Sequence, residues 1–521
     1  MALFGGSKPD HPMADLKQAK VLIAELPAND AAKALEEITF WLDSVSHTPD
    51  FKVDYRYGLY DLLDQAGKNP HRKLTQEYMA TDRQEKFREN KLWNAVFEFR
   101  KTLGACYNQC IDEFQTGASG AGALKKELPA IIGRVIRLAT LRLKWGYLRY
   151  GPIEAGIWSE LGRLYQFAET KEITTVRTEI YPGAYGQGTV QEEFLKALML
   201  AVSSLDGLAP VAQEIAERTV ANFGNLYTLQ VTPAPGCRFF FDLAAGHPPA
   251  RAMKGDPVIA TTRFFGAGTA VLALVQLMRD IKVKEGVPTD VNLGGTYELD
   301  ALLSVMRHLA LYWKDDPPAR SSERRRIATR LTVVHGYQSM LRSIMPVDDE
   351  ASLDFHVSDG GESWIVENVS EGGFGAIIPQ VKGDWIRVGS LLGVQTETSK
   401  YWGAGIIRRL TRDEYQQRRV GIQLLSKALI PVRLWPAGAA SSRNTLGNGD
   451  PAILLSAAPD KNGEISLLLQ LGTFTLDQAL DMQVGNKQYG LVPTRLVEGG
   501  EDFDCARFKI KQHGQKASAT G

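Results

Sequence analysis

Apolar residues recur at three- and four-residue spacing over most of the first 315 positions, a period that predicts helices. The windows are Ala14–Leu26, Ala31–Leu42, Phe51–Asp64, Gln76–Phe114, Leu128–Tyr150, Ile157–Ala168, Val190–Asn222, Phe265–Ile281 and Tyr297–Trp313. Polar or Gly/Pro breaks separate them, among them Thr48-Pro-Asp, Gly117-Ala-Ser-Gly and Thr232-Pro-Ala-Pro-Gly. An all-α region, a bundle or irregular helical array, is therefore expected over residues 1–313. Within it, the segment from Trp158 to Tyr165 fits the W-x2-L-G-x2-Y pattern of a tetratricopeptide helix. The pattern occurs once, and stacked repeats need several copies to bury their faces. The expected reading is an aromatic core stripe on a bundle helix.

Beyond residue 320 the period shortens. Runs at Leu331–Val334, Ser363–Asn368, Gly375–Pro379, Trp385–Val388, Leu391–Val394, Trp402–Ile407 and Val420–Leu425 are short, apolar or alternating, and bounded by glycine or polar residues. That pattern predicts a small antiparallel β-barrel over residues 324–430. Further runs at Ala452–Ser456, Glu464–Leu469, Met482–Val484, Tyr489–Val492 and Phe503–Ile510 predict a C-terminal β domain or barrel extension over 431–515. Turn signals at Pro436–Asn444 and Gly447–Asp450 separate the two. Residues 314–323, with Pro317-Pro318, read as a linker, and 516–521 as a disordered tail. The fold class is α+β, multidomain.

Composition narrows the function classes. Sixty basic residues balance sixty acidic ones, so no global field favours nucleic acid. No segment approaches the roughly twenty apolar residues of a membrane span, and Ala267–Met278 reads as a buried helix. The start, Met1–Pro9, lacks an apolar stretch long enough for a signal peptide. Four cysteines in 521 residues fit a reducing compartment, so a cytoplasmic location is expected. Cys106 and Cys110 share a helix face, but a structural zinc takes four ligands and only His71 lies nearby in sequence. The eight histidines form no H-E-x-x-H, and His308 reads as a packed side chain. Gly183–Gly188 lacks the Walker lysine, and Phe264–Gly268 opens no Rossmann unit. The chain is expected to be neither an enzyme nor a metal or cofactor protein.

Binding chemistry concentrates at the start of the β-rich part. Arg326 and Arg330 are four apart and share a side of the chain whether it is helical or extended. Each guanidinium is a planar fork of donors, suited to a phosphate or to the O6/N7 edge of guanine. Asn368 and Ser370, two apart, share a face on a strand and offer both donors and acceptors. Gly372, Gly373 and Gly375 allow close approach of a ligand. RxxxR spacing also occurs at Arg320–Arg324 and Arg408–Arg412, so the spacing alone carries little.

The conjunction of Arg326-x-x-x-Arg330 with Asn368-x-Ser370-x-x-Gly373, ahead of a barrel-like run of strands, resembles the PilZ family of cyclic di-GMP receptors over residues 320–430. The resemblance implies a bacterial, non-enzymatic effector that clamps cyclic di-GMP between a flexible arginine segment and the barrel surface. By motif, Arg326 and Arg330 would hold guanine and phosphate, Asn368 and Ser370 a guanine edge, and Gly373 would supply the turn. Arg325 would stack on or pair with a second nucleotide, although in the triple arginine Arg324 and Arg325 can share or take over a role. The family often has Asp where this chain has Asn368, which keeps the acceptor and removes the charge. The implied outputs are motility, surface attachment or exopolysaccharide control through a protein partner on the helical region, with or without oligomer formation. The alternative is an adaptor with a ligand-free barrel, acting through its helices.

Overall fold

The computed structural model describes residues 9–82, 85–181, 186–255, 258–316, 324–345, 361–379, 383–437, 449–485 and 487–511. The proline pair of the expected linker, the expected tail, residues 183–185 of Gly183–Gly188 and the 438–448 turn stretch lie outside them. The chain divides into two compact units, Met1–Ala319 and Arg320–Gly521.

In the first unit, helix starts follow capping residues. Asp15 accepts from the Lys17 and Gln18 amides at 2.8 and 3.3 Å and opens α1 (Leu16–Ala24). Asp30 caps α2 (Ala31–His47) in the same way. Then come α3 (Val53–Ala80), α4 (Lys86–Gln115), α5 (Leu128–Tyr147) and α6 (Ile157–Thr170). A Thr189/Glu192 capping box starts α7 (Val190–Val202), and Pro210 sits in the first turn of α8 (Pro210–Asn222). The helices α9 (Ala270–Lys284) and α10 (Leu299–Trp313) complete the unit.

Three boundaries differ from the sequence pattern, each for a local reason. The helix expected at Phe51–Asp64 continues through Pro70 to Ala80, because Leu74 and Tyr78 are buried in the common core. The long Gln76–Phe114 window is two helices, ending at Ala80 and restarting at Lys86. The Val190–Asn222 window breaks where Ser204 takes a left-handed backbone (φ 53°) ahead of Pro210.

The helical unit also holds a four-stranded sheet that the helical periods did not announce. Its strands are β1 (Thr228–Gln230), β2 (Phe239–Asp242), β3 (Ala250–Arg251) and β4 (Thr262–Gly266), in the order β1-β4-β2-β3. Phe265, expected at the head of a helix, lies on β4 instead with Phe264, opposite Phe239 and Phe240 respectively. Strings of aromatic residues favour strands, and here they supply the buried face. The Trp158–Tyr165 pattern is a core stripe on α6, with Trp158, Leu161 and Tyr165 all buried. Tyr165 stacks on Phe194 at 4.1 Å, and a Cβ at Gly162 would lie 2.1 Å from the Leu243 carbonyl oxygen.

Helix α5 is buried along almost its whole length, so its cations need partners. Arg134 meets Asp61 at 2.6 Å, Arg137 meets Glu193 at 2.7 Å, and Arg142 meets Glu154 at 2.9 Å as well as Glu160. Lys144 lies between Glu214 at 2.5 Å and Glu217 at 2.7 Å. Burial alone would raise the Glu193 carboxyl, but Arg137 and Lys196 outweigh it and hold the group down to about 2.

The second unit begins with β5 (Arg325–His335), which runs directly into α11 (Gly336–Ile344). With β6 (Glu362–Ser370), β7 (Gly373–Ile378), β8 (Leu391–Thr396), β9 (Gly403–Arg412) and β10 (Arg418–Ser426) it closes a barrel in the order β10-β7-β6-β5-β8-β9. Leu331, Val333, Trp364, Val366, Ala376, Val420 and Ile422 are buried on these strands. The strands that follow close a second barrel of their own: β11 (Ile430–Pro436), β12 (Asp450–Leu454), β13 (Glu464–Gln470), β14 (Leu480–Val484), β15 (Lys487–Gly499) and β16 (Phe503–Lys511). Helix α11 packs between them. Tyr337, Met340 and Leu341 share one core with Leu391 and Ile406 of the first barrel and Ile453, Leu468 and Phe503 of the second. The Tyr337 amide donates to Asp502 and its hydroxyl to the Pro451 carbonyl, both at 2.6 Å.

The ion pairs of α5 generate a pH prediction. The depressed Glu193 carboxyl contributes stability that is present above its ordinary value of 4.5 and is lost as pH falls toward about 2. Glu193→Gln leaves Arg137 and Lys196 without their shared carboxylate, and the expected loss at pH 7 is about 3 kcal/mol. Urea melts of the full chain between pH 7 and pH 3 check both points: the variant should lose midpoint at pH 7 and show a shallower acid dependence. An unchanged midpoint would mean that the pair adds no net stability.

Candidate functional site

The predicted arginines are not on a segment ahead of the barrel. Arg325, Arg326 and Arg330 lie within β5, which pairs antiparallel with β6 so that Arg326 stands opposite Asn368 and Arg330 opposite Ile365. All three arginines are exposed. None of the three side chains makes a hydrogen bond or ion pair among the described residues. Arg408 of the alternative Arg408–Arg412 spacing is committed elsewhere, bonded to both carboxylate oxygens of Glu498 at 2.5 and 2.6 Å and to Gln423 at 2.7 Å.

Strand irregularities aim the second motif. Trp364 and Val366 point into the barrel, at 0% and 1% exposure. Strict alternation from Val366 would send Asn368 inward as well. Instead β6 carries an extra residue, Glu367, between the pairs Val366–Ala376 and Asn368–Gly375. This bulge turns Asn368 to the outer face, with Ser370 two residues further on. The pairing with β5 is also interrupted, between Arg326 and Thr329, and Arg326 and Arg330 both fall on the side opposite buried Leu331 and Val333. Glu367 is anchored by Arg419 at 2.8 Å.

The outer face can be read across the strands. One row runs Arg326, Asn368, Gly375, Gly421 and Arg409, each opposite the next on β5, β6, β7, β10 and β9. The neighbouring row runs Arg330, Ile365, Ile377 and Arg419. The two glycines leave a floor without side chains. A Cβ at Gly375 would lie 2.6 Å from Asn368 Oδ1 and 2.7 Å from its Nδ2, so the Asn368 amide lies over that glycine. Asn368 Oδ1 is buried and has no hydrogen-bond partner, an unusual state for a buried acceptor. Ile365, 43% exposed, adds an apolar patch beside the floor.

The remaining motif positions are also placed. Ser370 Oγ donates to the Gly373 carbonyl at a long 3.4 Å. Gly373 opens β7 rather than forming the turn, which is Glu371–Gly372. A Cβ at Gly373 would lie 1.9 Å from the Ile422 carbonyl oxygen, so glycine is needed there for the approach of β10. The spacing of the motifs brought Arg326, Asn368 and Ser370 to notice. Arg409, Gly421 and the bulge at Glu367 escaped it, because only the cross-strand register makes them neighbours.

The helical unit has a cavity of about 360 Å³ lined by Arg137, Lys196, Arg218, Glu193, Glu217 and Tyr181 among others. Its three cations are all held by carboxylates, Arg137 and Lys196 by Glu193 and Arg218 by Glu214. Little cationic charge is left there for a phosphate. The cysteines of α4 are buried, and burial pushes the Cys106 thiol up to about 12. His308 hydrogen-bonds the Ser203 carbonyl at 2.9 Å. Among the described residues no group of three or more His, Cys, Asp or Glu is placed to hold a metal ion, and no helix is long and apolar enough to cross a membrane.

Residues 17–234 match the family model described as cyclic-di-GMP receptor FimW, N-terminal domain. No curated protein and no solved structure matches the chain. The matched span runs from the second residue of α1 to just past β1, which places it in the helical unit and short of the barrels. Residues 17–234 are therefore similar to a domain described from a cyclic-di-GMP receptor.

Proposed function

We propose that the outer face of the first barrel binds cyclic di-GMP, that this barrel is of the PilZ kind, and that the chain is a non-enzymatic effector. One observation carries the reading: Arg326 and Arg330, both without a side-chain partner among the described residues, share the outer face with an asparagine, directly opposite Arg326, whose buried carbonyl oxygen lacks a donor. A guanine presents N–H donors that the Asn368 oxygen lacks, and its O6/N7 edge and the phosphates take the arginine forks. The receptor family matched by the helical unit supplies the same ligand from an independent part of the chain.

In this reading Arg326 and Arg330 bind guanine and phosphate, Asn368 and Ser370 read a guanine edge, and Arg325 meets a second nucleotide. Gly373 keeps the strands close enough for the motif to form. Charge-assisted hydrogen bonds of roughly 1.5–3 kcal/mol each, less ordering costs, bring the affinity to about micromolar, near −8 kcal/mol. The helical unit is the interaction domain for a protein partner, and motility, surface attachment or exopolysaccharide control is the output. The bacterial cytoplasm, where cyclic di-GMP is made and read, is the proposed location.

Calorimetric titration of the full chain with cyclic di-GMP tests the site. Wild type should bind at about micromolar Kd, and Arg326→Ala/Arg330→Ala should lose at least 100-fold, as expected when roughly 3 kcal/mol or more of charged hydrogen bonding is removed. A double variant that still binds like wild type moves the ligand elsewhere, with the helical cavity as the next place to look. A folded wild type that does not bind leaves the barrel as a scaffold and the protein as an adaptor working through its helices. A second variant probes the floor: Gly375→Val drives a side chain into the Asn368 amide and should abolish binding, while the bulkier β-branched residue suits a strand. Circular dichroism and melting of the same sample separate loss of ligand from loss of fold.

A further inference from the structure

Resting on that reading, we infer that Arg409 is a further ligand-binding residue, closing the site from the side opposite Arg326. No motif marks it, and it lies some forty residues beyond Asn368. Three observations converge. Arg409 is directly opposite Gly421, and Gly421 is directly opposite Gly375, so Arg409 ends the same row that Arg326 and Asn368 begin. Its side chain starts beside the glycine: a Cβ at Gly421 would lie 3.4 Å from Arg409 Cβ and 3.8 Å from its Cγ. Asn368 leans over Gly375 from the other side. The two residues thus flank a floor of two glycines on adjacent strands, about 4.8 Å apart.

A purine or phosphate resting on this floor meets Asn368 and Arg326 at one edge and Arg409 at the other. Arg408 is held by Glu498 and Gln423, and Arg419 by Glu367 at 2.8 Å and Asp413 at 3.6 Å. Arg409 is exposed, while also making a contact of its own within the protein. Its planar fork can bond two acceptors of a phosphate or stack on a base, which the ammonium of a lysine cannot do. The ligand class it serves is a purine nucleotide with more than one phosphate-bearing edge, large enough to reach both sides of the floor.

The test is titration of the full chain with cyclic di-GMP in wild type, Arg409→Ala, Arg409→Lys and Gly421→Val. The expected result is about tenfold weaker binding in Arg409→Ala, the scale of one charged hydrogen bond. Arg409→Lys should recover only part of it, and Gly421→Val should lose binding by filling the floor, with melting temperatures close to wild type. Wild-type affinity in Arg409→Ala, with Arg326→Ala/Arg330→Ala still defective, overturns the assignment of Arg409 and leaves the receptor reading intact. Absence of binding by folded wild-type protein overturns both.

Discussion

One extra residue in β6 decides what the first barrel can offer a ligand. Side chains on a strand alternate, and the barrel interior takes Trp364 and Val366. Without the bulge at Glu367, Asn368 would follow them inward, where an amide would need partners that an apolar interior does not supply. With it, Asn368 turns outward into the row of Arg326, and Ser370 follows. The Arg419–Glu367 ion pair sits on the bulge itself. Gly375 is the complementary requirement, since any side chain there would occupy the space of the Asn368 amide.

The two units treat positive charge in opposite ways. In the helical unit, cations are buried against carboxylates: α5 alone places Arg134, Arg137, Arg142 and Lys144 in such pairs. Charge of this kind is already compensated, and removing a partner leaves the other stranded. On the barrel face, Arg326 and Arg330 are exposed, with side chains unpartnered among the described residues. Solvated arginines cost little to leave unpaired, and they keep their full hydrogen-bonding capacity for a ligand. The strand that carries them continues without a break into α11, whose Tyr337, Met340 and Leu341 are locked into the core shared with the second barrel. The arginine strand is thus tied at its far end to a rigid element.

Much of this was legible in the sequence. The change from helical period to short alternating runs near residue 320 coincides with the boundary between the compact units, because burial imposes different periods on helices and strands. The β1–β4 sheet was not legible: its strands are two to five residues long, too short for a period, and Phe265 fits the head of a helix window equally well. Pro70 concealed the second half of α3, where tertiary burial overrides a local breaker. The motif spacing singled out Arg326, Arg330, Asn368 and Ser370 as candidates, but it could not show that the arginines lie in a strand. Nor could it show that Gly421 and Arg409 complete their row. Register across strands is a property of the folded sheet, and residues forty positions apart become neighbours only through it.

The most direct measurement is a crystal structure of the full chain grown with cyclic di-GMP. The expected result is ligand on the outer face of the first barrel, over Gly375 and Gly421, with Arg326 and Arg330 on its phosphate or guanine edges and Asn368 Oδ1 accepting from a guanine N–H. Ligand in the helical cavity lined by Arg137, Lys196 and Arg218, with the barrel face empty, would contradict it.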